Sequence, residues 1–236
     1  MKIKQLFALS VAIFMAFPAF ADDYPIVSPT AEYTDSTGTL IIKHPSESFT
    51  EQAPLTIRFN ANPQNTVGFT MNYQWSINKT NDPSFNIVNY NEEFEHTFTH
   101  AGEFNVKLIY TYTDADGYQE SITTDSIKFT IKESKLEFPN AFSPNGDRWN
   151  QIYTAKVCQS IVEFRATIYN RWGQKLYSWT DPKGGWDGTF NGKPVKQGVY
   201  FVNVVAKGAD GYVYHIRRDV NLLRGYTDES SSTTSP

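Results

Sequence analysis

The chain has 236 residues, of which 15% are aromatic and 19% charged, and its formal net charge is −4. That balance gives no basic footprint for nucleic acid, and a single cysteine, Cys158, excludes an intramolecular disulfide. The length accommodates two small β domains.

The first residues carry an export pattern. Lys2 and Lys4 precede an apolar run from Leu6 to Phe17, and Ala19-Phe20-Ala21 follows as a small-x-small cleavage site. Residues 1–21 are therefore expected to be a secretory signal peptide. Asp22 stands after the cut where a lipid-anchored chain would have Cys. No later stretch is apolar enough to span a bilayer, so no transmembrane segment is expected. These features predict export through the Sec pathway, to an outer membrane-associated, cell-surface or periplasmic location.

From Asp22 onward strand signals dominate. After a polar lead, Thr37–His44, Ala53–Ala61 and Phe69–Ile77 read as strands bounded by Gly, Pro and Asn. Further on, Val106, Leu108, Tyr110 and Tyr112 share one face of a strand, with Asp116-Gly117 as the turn after it. Ile127, Phe129 and Ile131 then alternate with Lys128 and Thr130, the period-two pattern of a half-buried strand. Short strands at regular spacing predict a β-sandwich over residues 22–133. Its "YQWSI" and "HTFTHAGEFNVKLIYTYTDADG" stretches resemble a polycystic-kidney-disease-type (PKD) immunoglobulin-like domain, matched at Trp75, Phe98, Ala101, Gly102, Phe104, Val106 and Leu108. Asn78-Lys79-Thr80-Asn81 replaces the "FGDG" of that pattern.

Lys132–Lys135 reads as a short charged joint, and the charge reverses there. Residues 22–133 hold 6 Lys/Arg against 16 Asp/Glu, whereas residues 134–224 hold 13 against 7. Such asymmetry points to two units with different surroundings. In the second unit "IYTAKV", "IVEFRATIYN", "QKLYSW", "GVYFVNVVAKG" and "GYVYHIRRDVNLLR" read as strands. The Ser/Thr-rich end, 225–236, is expected to be a disordered tail. The fold class predicted is all-β, with two immunoglobulin-like β-sandwiches in tandem.

Two stretches of the second unit are neither plain strand nor plain loop: "FPNAFSPNGDRWN" (Phe138 to Asn150) and "IYNRWGQKLYSW" (Ile168 to Trp179). Pro144 fixes φ and Asn145-Gly146 admits positive φ, so "SPNGD" predicts a tight turn. Asp147 and Asn150 can bond local N–H groups. Calcium is the alternative for this loop, with Asn145, Asp147, Asn150 and a carbonyl as oxygen donors. With only one carboxylate the turn is preferred, and no metal or cofactor is expected. Trp172 and Trp186, each beside a glycine, are expected to plug the sandwich ends; the competing reading is a sugar platform with Tyr177, Trp179 and Tyr200. Arg171 is expected to stack on a ring or pair with Asp187.

Together these motifs resemble the gliding-motility-associated C-terminal domain (CHU_C), the type B sorting domain of the Bacteroidetes type IX secretion system. Asn140, Phe142 to Asp147, Asn150, Ile168 to Gly173, Trp186-Asp187-Gly188, Gly192, Gly198-Val199-Tyr200 and Leu222 to Arg224 carry the resemblance in order, within 134–224. Arg148 and Gln151 depart from the usual Gly and Asp. The resemblance implies passage through the type IX translocon and association with outer-membrane barrel proteins of SprF/PorP type or other components of that system. Arg171, Trp172, Arg217, Arg218 and Arg224 are nominated for partner binding, and Asn145, Gly146, Asp147, Asn150, Trp186, Asp187 and Gly188 as the structural motif.

Catalytic residues are not expected. His44, His96, His100 and His215 lie on different segments, and only His96/His100 have a four-residue spacing, on a strand-and-turn run where no local carboxylate is placed to complete an evident site. No nucleophile elbow, phosphate loop or C-x-x-C is present. The reading is a non-enzymatic envelope protein whose C-terminal unit docks at the outer membrane while the PKD-like unit serves as an accessory, structural or signal-relay module. The alternative is an exported surface adhesin or carbohydrate-binding cargo.

Overall fold

A computed structural model of the chain describes residues 24–225; the expected signal peptide and all but the first residue of the expected tail lie outside the described residues. Every regular element among them is a β-strand, arranged as two β-sandwich units in tandem.

The first unit faces a four-stranded sheet onto a six-stranded one. The smaller runs, in spatial order, Leu40–Lys43, Thr30–Thr34, Leu55–Asn60 and Glu93–Phe98. The larger runs Ser48–Glu51, Ile127–Ile131, Gly102–Thr113, Thr70–Lys79 and Asp82–Asn89, with Gln119–Thr123 also paired to Gly102–Thr113. Alternation explains the layering. Leu55, Ile57 and Phe59 point inward while Thr56 and Arg58 are exposed, and Val106, Leu108, Tyr110 and Tyr112 form the facing wall. Between the sheets Tyr33, Phe49, Phe129 and Phe104 stack in succession, with centroids 4.8, 5.1 and 5.2 Å apart. Trp75 packs on Phe59 and donates its indole N–H to Asn91 O at 3.0 Å. A buried indole needs such a partner, because an unmade bond leaves a desolvated donor.

Several strands were not expected, Asp82–Asn89 among them. Thr80-Asn81 turns the chain back so that Asp82–Asn89 pairs with Thr70–Lys79 across a bulge. It lies at the sheet edge, where only Phe85 and Ile87 reach the core, so its sequence carries little hydrophobic signal.

The second unit is built on one five-stranded sheet. Its order is Ala141–Phe142, Val213–Leu222, Gly198–Gly208, Ile161–Tyr169 and Lys175–Trp179. Short pairs supply the opposing layer: Lys135–Glu137 with Val157–Gln159, and Tyr153–Thr154 with Gly185–Trp186. These bring Leu136, Tyr153 and Trp186 into one core with Ile168, Val202, Val204 and Val220. Cys158 sits half-buried in the first of these pairs, and burial pushes its thiol up.

The joint between the units is pinned. Ser134 donates its N–H to Asp210 at 3.0 Å and its hydroxyl to the same carboxylate at 2.8 Å. Burial raises the Asp210 carboxyl, but the Ser134 and Tyr212 N–H groups and the Ser134 hydroxyl outweigh it and hold it below the usual range. Next to it, Ala209 is buried in the first unit's core and accepts a hydrogen bond from Ala101 N at 2.8 Å. Ala53 N donates to Ser160 Oγ at 3.2 Å. Gln159 Nε2 donates to Glu133 O at 2.8 Å, so residues 133 and 134 are held by side chains from farther along the chain rather than left as a free linker.

Candidate docking face

Three of the sequence motifs meet at one guanidinium. Arg224 donates from Nη1 to Pro144 O at 2.8 Å, from Nη2 to Gly188 O at 2.9 Å and from Nε to Val195 O at 3.1 Å. Arginine suits this role because its planar donors point in fixed directions. Gly188 has φ +78°, and a Cβ there would stand 3.0 Å from both Leu222 Cδ1 and Pro144 Cγ. Trp186 is fully buried between Phe142 and Tyr200, with its indole N–H given to Thr189 O at 2.8 Å. Asp187 accepts from the Thr189 N–H at 2.9 Å, which shapes the turn beneath it. Asn145, Gly146, Asp147 and Asn150 form the adjoining loop: Gly146 has φ +90° and Asn150 φ +52°, Asp147 accepts from Trp149 N at 2.8 Å, and Asn150 O accepts from Ser143 N at 2.8 Å.

Trp172 does not join this core. The expected plug is 75% exposed. The reason is local: Asn170 Oδ1 accepts from the N–H groups of Trp172 and Gln174, both at 3.0 Å, and Gly173 takes φ +78°. The turn is closed by its own asparagine and needs no ring beneath it. Arg171 lies over the indole at 3.9 Å from the ring centroid, a cation–π contact worth about 0.5–1 kcal/mol at an exposed site. The alternative partner, Asp187, bonds within its own turn. The sugar-platform residues are divided: Trp186 and Trp179 are buried, Tyr200 is buried with its hydroxyl given to Lys196 O at 2.6 Å, and Tyr177 and Trp172 are exposed.

The Arg217-Arg218 pair is divided by the strand's alternation. Arg218 turns to donate to Phe138 O at 2.8 Å, while Arg217 faces outward and makes no ion pair among the described residues. Arg217 pairs in register with Asn203, and the next row toward the Asn170–Gln174 turn is Tyr169, Phe201 and Asp219. These residues line a shallow depression on the outer sheet face. Val199, Phe201, Val205 and Val213 are each 43–49% exposed on that face. Arg165 stands in register with Val205. An open sheet face carrying apolar side chains and exposed arginines, flanked by an exposed Trp-Arg turn, has the aromatic and arginine content that protein interfaces favour. Sequence reading overlooked Val199, Phe201 and Val205. The available signal was that "GVYFVNVVAKG" is apolar on both of its faces, whereas a strand with one solvated face alternates.

The outer face of the first unit has the opposite sign. Glu32, Arg58 and Glu95 lie in register across its smaller sheet, and Arg58 is engaged by Glu93 at 2.5 Å. His96 turns inward against Phe98, its ring held low by burial, while His100 contacts Thr99. Both line one small depression with Phe85 and Phe104, and no group of three or more His, Cys, Asp or Glu suited to a metal occurs among the described residues. Asp114 caps its own turn through the N–H groups of Asp116 and Tyr118. No helix among the described residues is long and apolar enough to cross a membrane.

Among solved structures the chain is similar to chicken CNTN1 FN1–FN3 domains, at 11% identity and TM-score 0.28, covering 86% of this chain and 91% of that one. It is similar to a tetra-tandem repeat from the extending region of a large adhesion protein, at 14% identity and TM-score 0.26, covering 86% and 68%. It is also similar to dimeric latent PorU from Porphyromonas gingivalis, at 12% identity and TM-score 0.25, covering 86% of this chain and 20% of that one. No curated protein matches. Residues 136–215, which hold the pinned loop, the Trp172 turn and most of the outer sheet face, match the CHU_C type IX secretion signal domain, so the second unit of this chain carries that domain.

Proposed function

We propose that this is a non-enzymatic component or cargo of the type IX secretion system whose C-terminal unit docks on an outer-membrane barrel protein of SprF/PorP type. The first unit, 22–133, serves as an accessory, structural or relay module, and 134–224 is the docking unit. The observation that carries the reading is the coincidence of the secretion-signal match with an open face on which Arg217 makes no ion pair among the described residues and Phe201 and Trp172 are exposed. A basic face speeds encounter with an acidic partner, with screening over a Debye length of about 8 Å at physiological salt. Affinity then rests on the buried aromatic and arginine contacts. Arg218 and Arg224 contribute by holding the fold, since their donors are committed to backbone carbonyls.

The test is co-purification of the full chain from detergent-solubilised outer membrane, with the partner identified by mass spectrometry. A barrel protein should accompany the native chain and be lost with Trp172→Ala and Phe201→Ser together. Recovery of a surface polysaccharide instead, with no barrel, would favour the adhesin reading.

A further inference from the structure

The loop from Ser143 to Gln151 is closed in an unusual way. Gln151 Nε2 lies 2.7 Å from Asp147 Oδ1, 2.9 Å from Asn145 Oδ1, 2.9 Å from Trp149 O and 3.1 Å from Ser143 O. Gln151 Oε1 in turn accepts from Gly146 N at 2.9 Å, which fixes which end of the amide faces the oxygens. An amide nitrogen carries two protons. Four oxygens therefore converge on a group that can satisfy two of them with well-directed bonds. One carboxylate, one amide oxygen and two backbone carbonyls are also the donor types that hold calcium, at distances of about 2.3–2.6 Å. The cage here is a few tenths of an ångström wider than such a site. Trp149 N donates to Asp147, holding its carboxyl below the usual range together with Asn145 and Gln151.

We propose that the side-chain amide of Gln151 fills the centre of a divalent-cation cage, its N–H dipole standing where an ion's charge would stand. The loop consequently closes without metal, and the C-terminal unit keeps one conformation whether calcium is abundant or scarce. The ligand class that fits the cage is a hard divalent cation, admitted once residue 151 is an acid. Gln151→Glu keeps the side-chain length but sets a carboxylate oxygen among four others, a repulsion that a cation would relieve. Gln151→Asp withdraws the group by one methylene and leaves more room for the ion.

The experiment compares thermal melts of the full chain and both variants in calcium and in chelator, with terbium luminescence sensitised by Trp149 as the binding readout. The native chain should melt at the same temperature in both conditions. The variants should melt lower in chelator, recover in calcium, and bind with half-saturation on the order of 10⁻⁴–10⁻³ M. Adding Asp147→Asn should abolish their terbium signal. Failure of calcium to rescue or bind either variant would overturn the proposal. So would stabilisation of the native chain by calcium to the same extent as the variants.

Discussion

The two sandwiches solve the same problem with different materials. The first closes two full sheets over stacked rings, and its centre is apolar from Tyr33 to Phe104. The second has one full sheet, and its other side is assembled from two-residue and three-residue strand pairs. Short pairs bury little area, so that side is held by polar fasteners: Arg224 on three carbonyls, Arg218 on Phe138 O and Gln151 within its loop. The contrast explains why the second unit carries multi-residue motifs. A hydrophobic core tolerates exchange among residues of similar volume, whereas a guanidinium that must reach three particular carbonyls tolerates almost none.

The largest expected effect tests the core that both units share in kind. Trp186→Ala should destabilise the second unit by about 3–5 kcal/mol, the usual cost of emptying a large aromatic site, read from its own transition in denaturant melts. Arg224→Met comes next. It strands carbonyls that a charged donor had satisfied and should cost about 2 kcal/mol, while the equivalent loss of Arg58 on the first unit's surface should fall within about 1 kcal/mol. If both arginine changes cost the same, the distinction between fastened and packed units is lost.

The joint offers a third comparison. A Cβ on Gly208 would lie 2.1 Å from Ser134 Oγ and 2.4 Å from Asp210 Oδ1. Gly208→Ala should therefore loosen Ser134 and speed proteolysis near Lys132–Lys135 without melting either sandwich. Asp210 gives the same contact a pH dependence. Its folded pKa is depressed, so its contribution is complete above the ordinary aspartate value of about 3.9 and disappears as pH falls through the lower folded value. An NMR titration following the Ser134 amide should move in that acid range and not near neutrality. The smallest effect on stability belongs to Trp172→Ala, within about 0.5 kcal/mol, because the ring is held out in solvent.

Strands with one regularly apolar face were legible from the chain alone. Gly198–Gly208 was expected over the residues it occupies, and Ile127, Phe129 and Ile131 face the core as their pattern required. Two edge strands were not: Ser48–Glu51 and Asp82–Asn89 are half solvated, so their composition resembles loop. Within the site, the Trp186 plug followed from its aromatic character. The exposure of Trp172 did not, because it depends on the Asn170 hydrogen bonds that close the turn. Contacts such as Ser134 with Asp210 join residues 76 apart and leave no local trace. The division of Arg217 from Arg218 needed only the strand's parity, which places adjacent side chains on opposite faces.

The outer face of the second unit, and not the acidic face of the first, is the surface proposed to meet the outer-membrane partner. It is tested most directly by measuring association of the full chain with the purified barrel protein for two charge reversals of equal size, Arg165→Glu with Arg217→Glu, and Glu93→Lys with Glu95→Lys. The first pair should slow association and reverse its salt dependence, while the second should leave both unchanged. Slowed association with the second pair alone would contradict it.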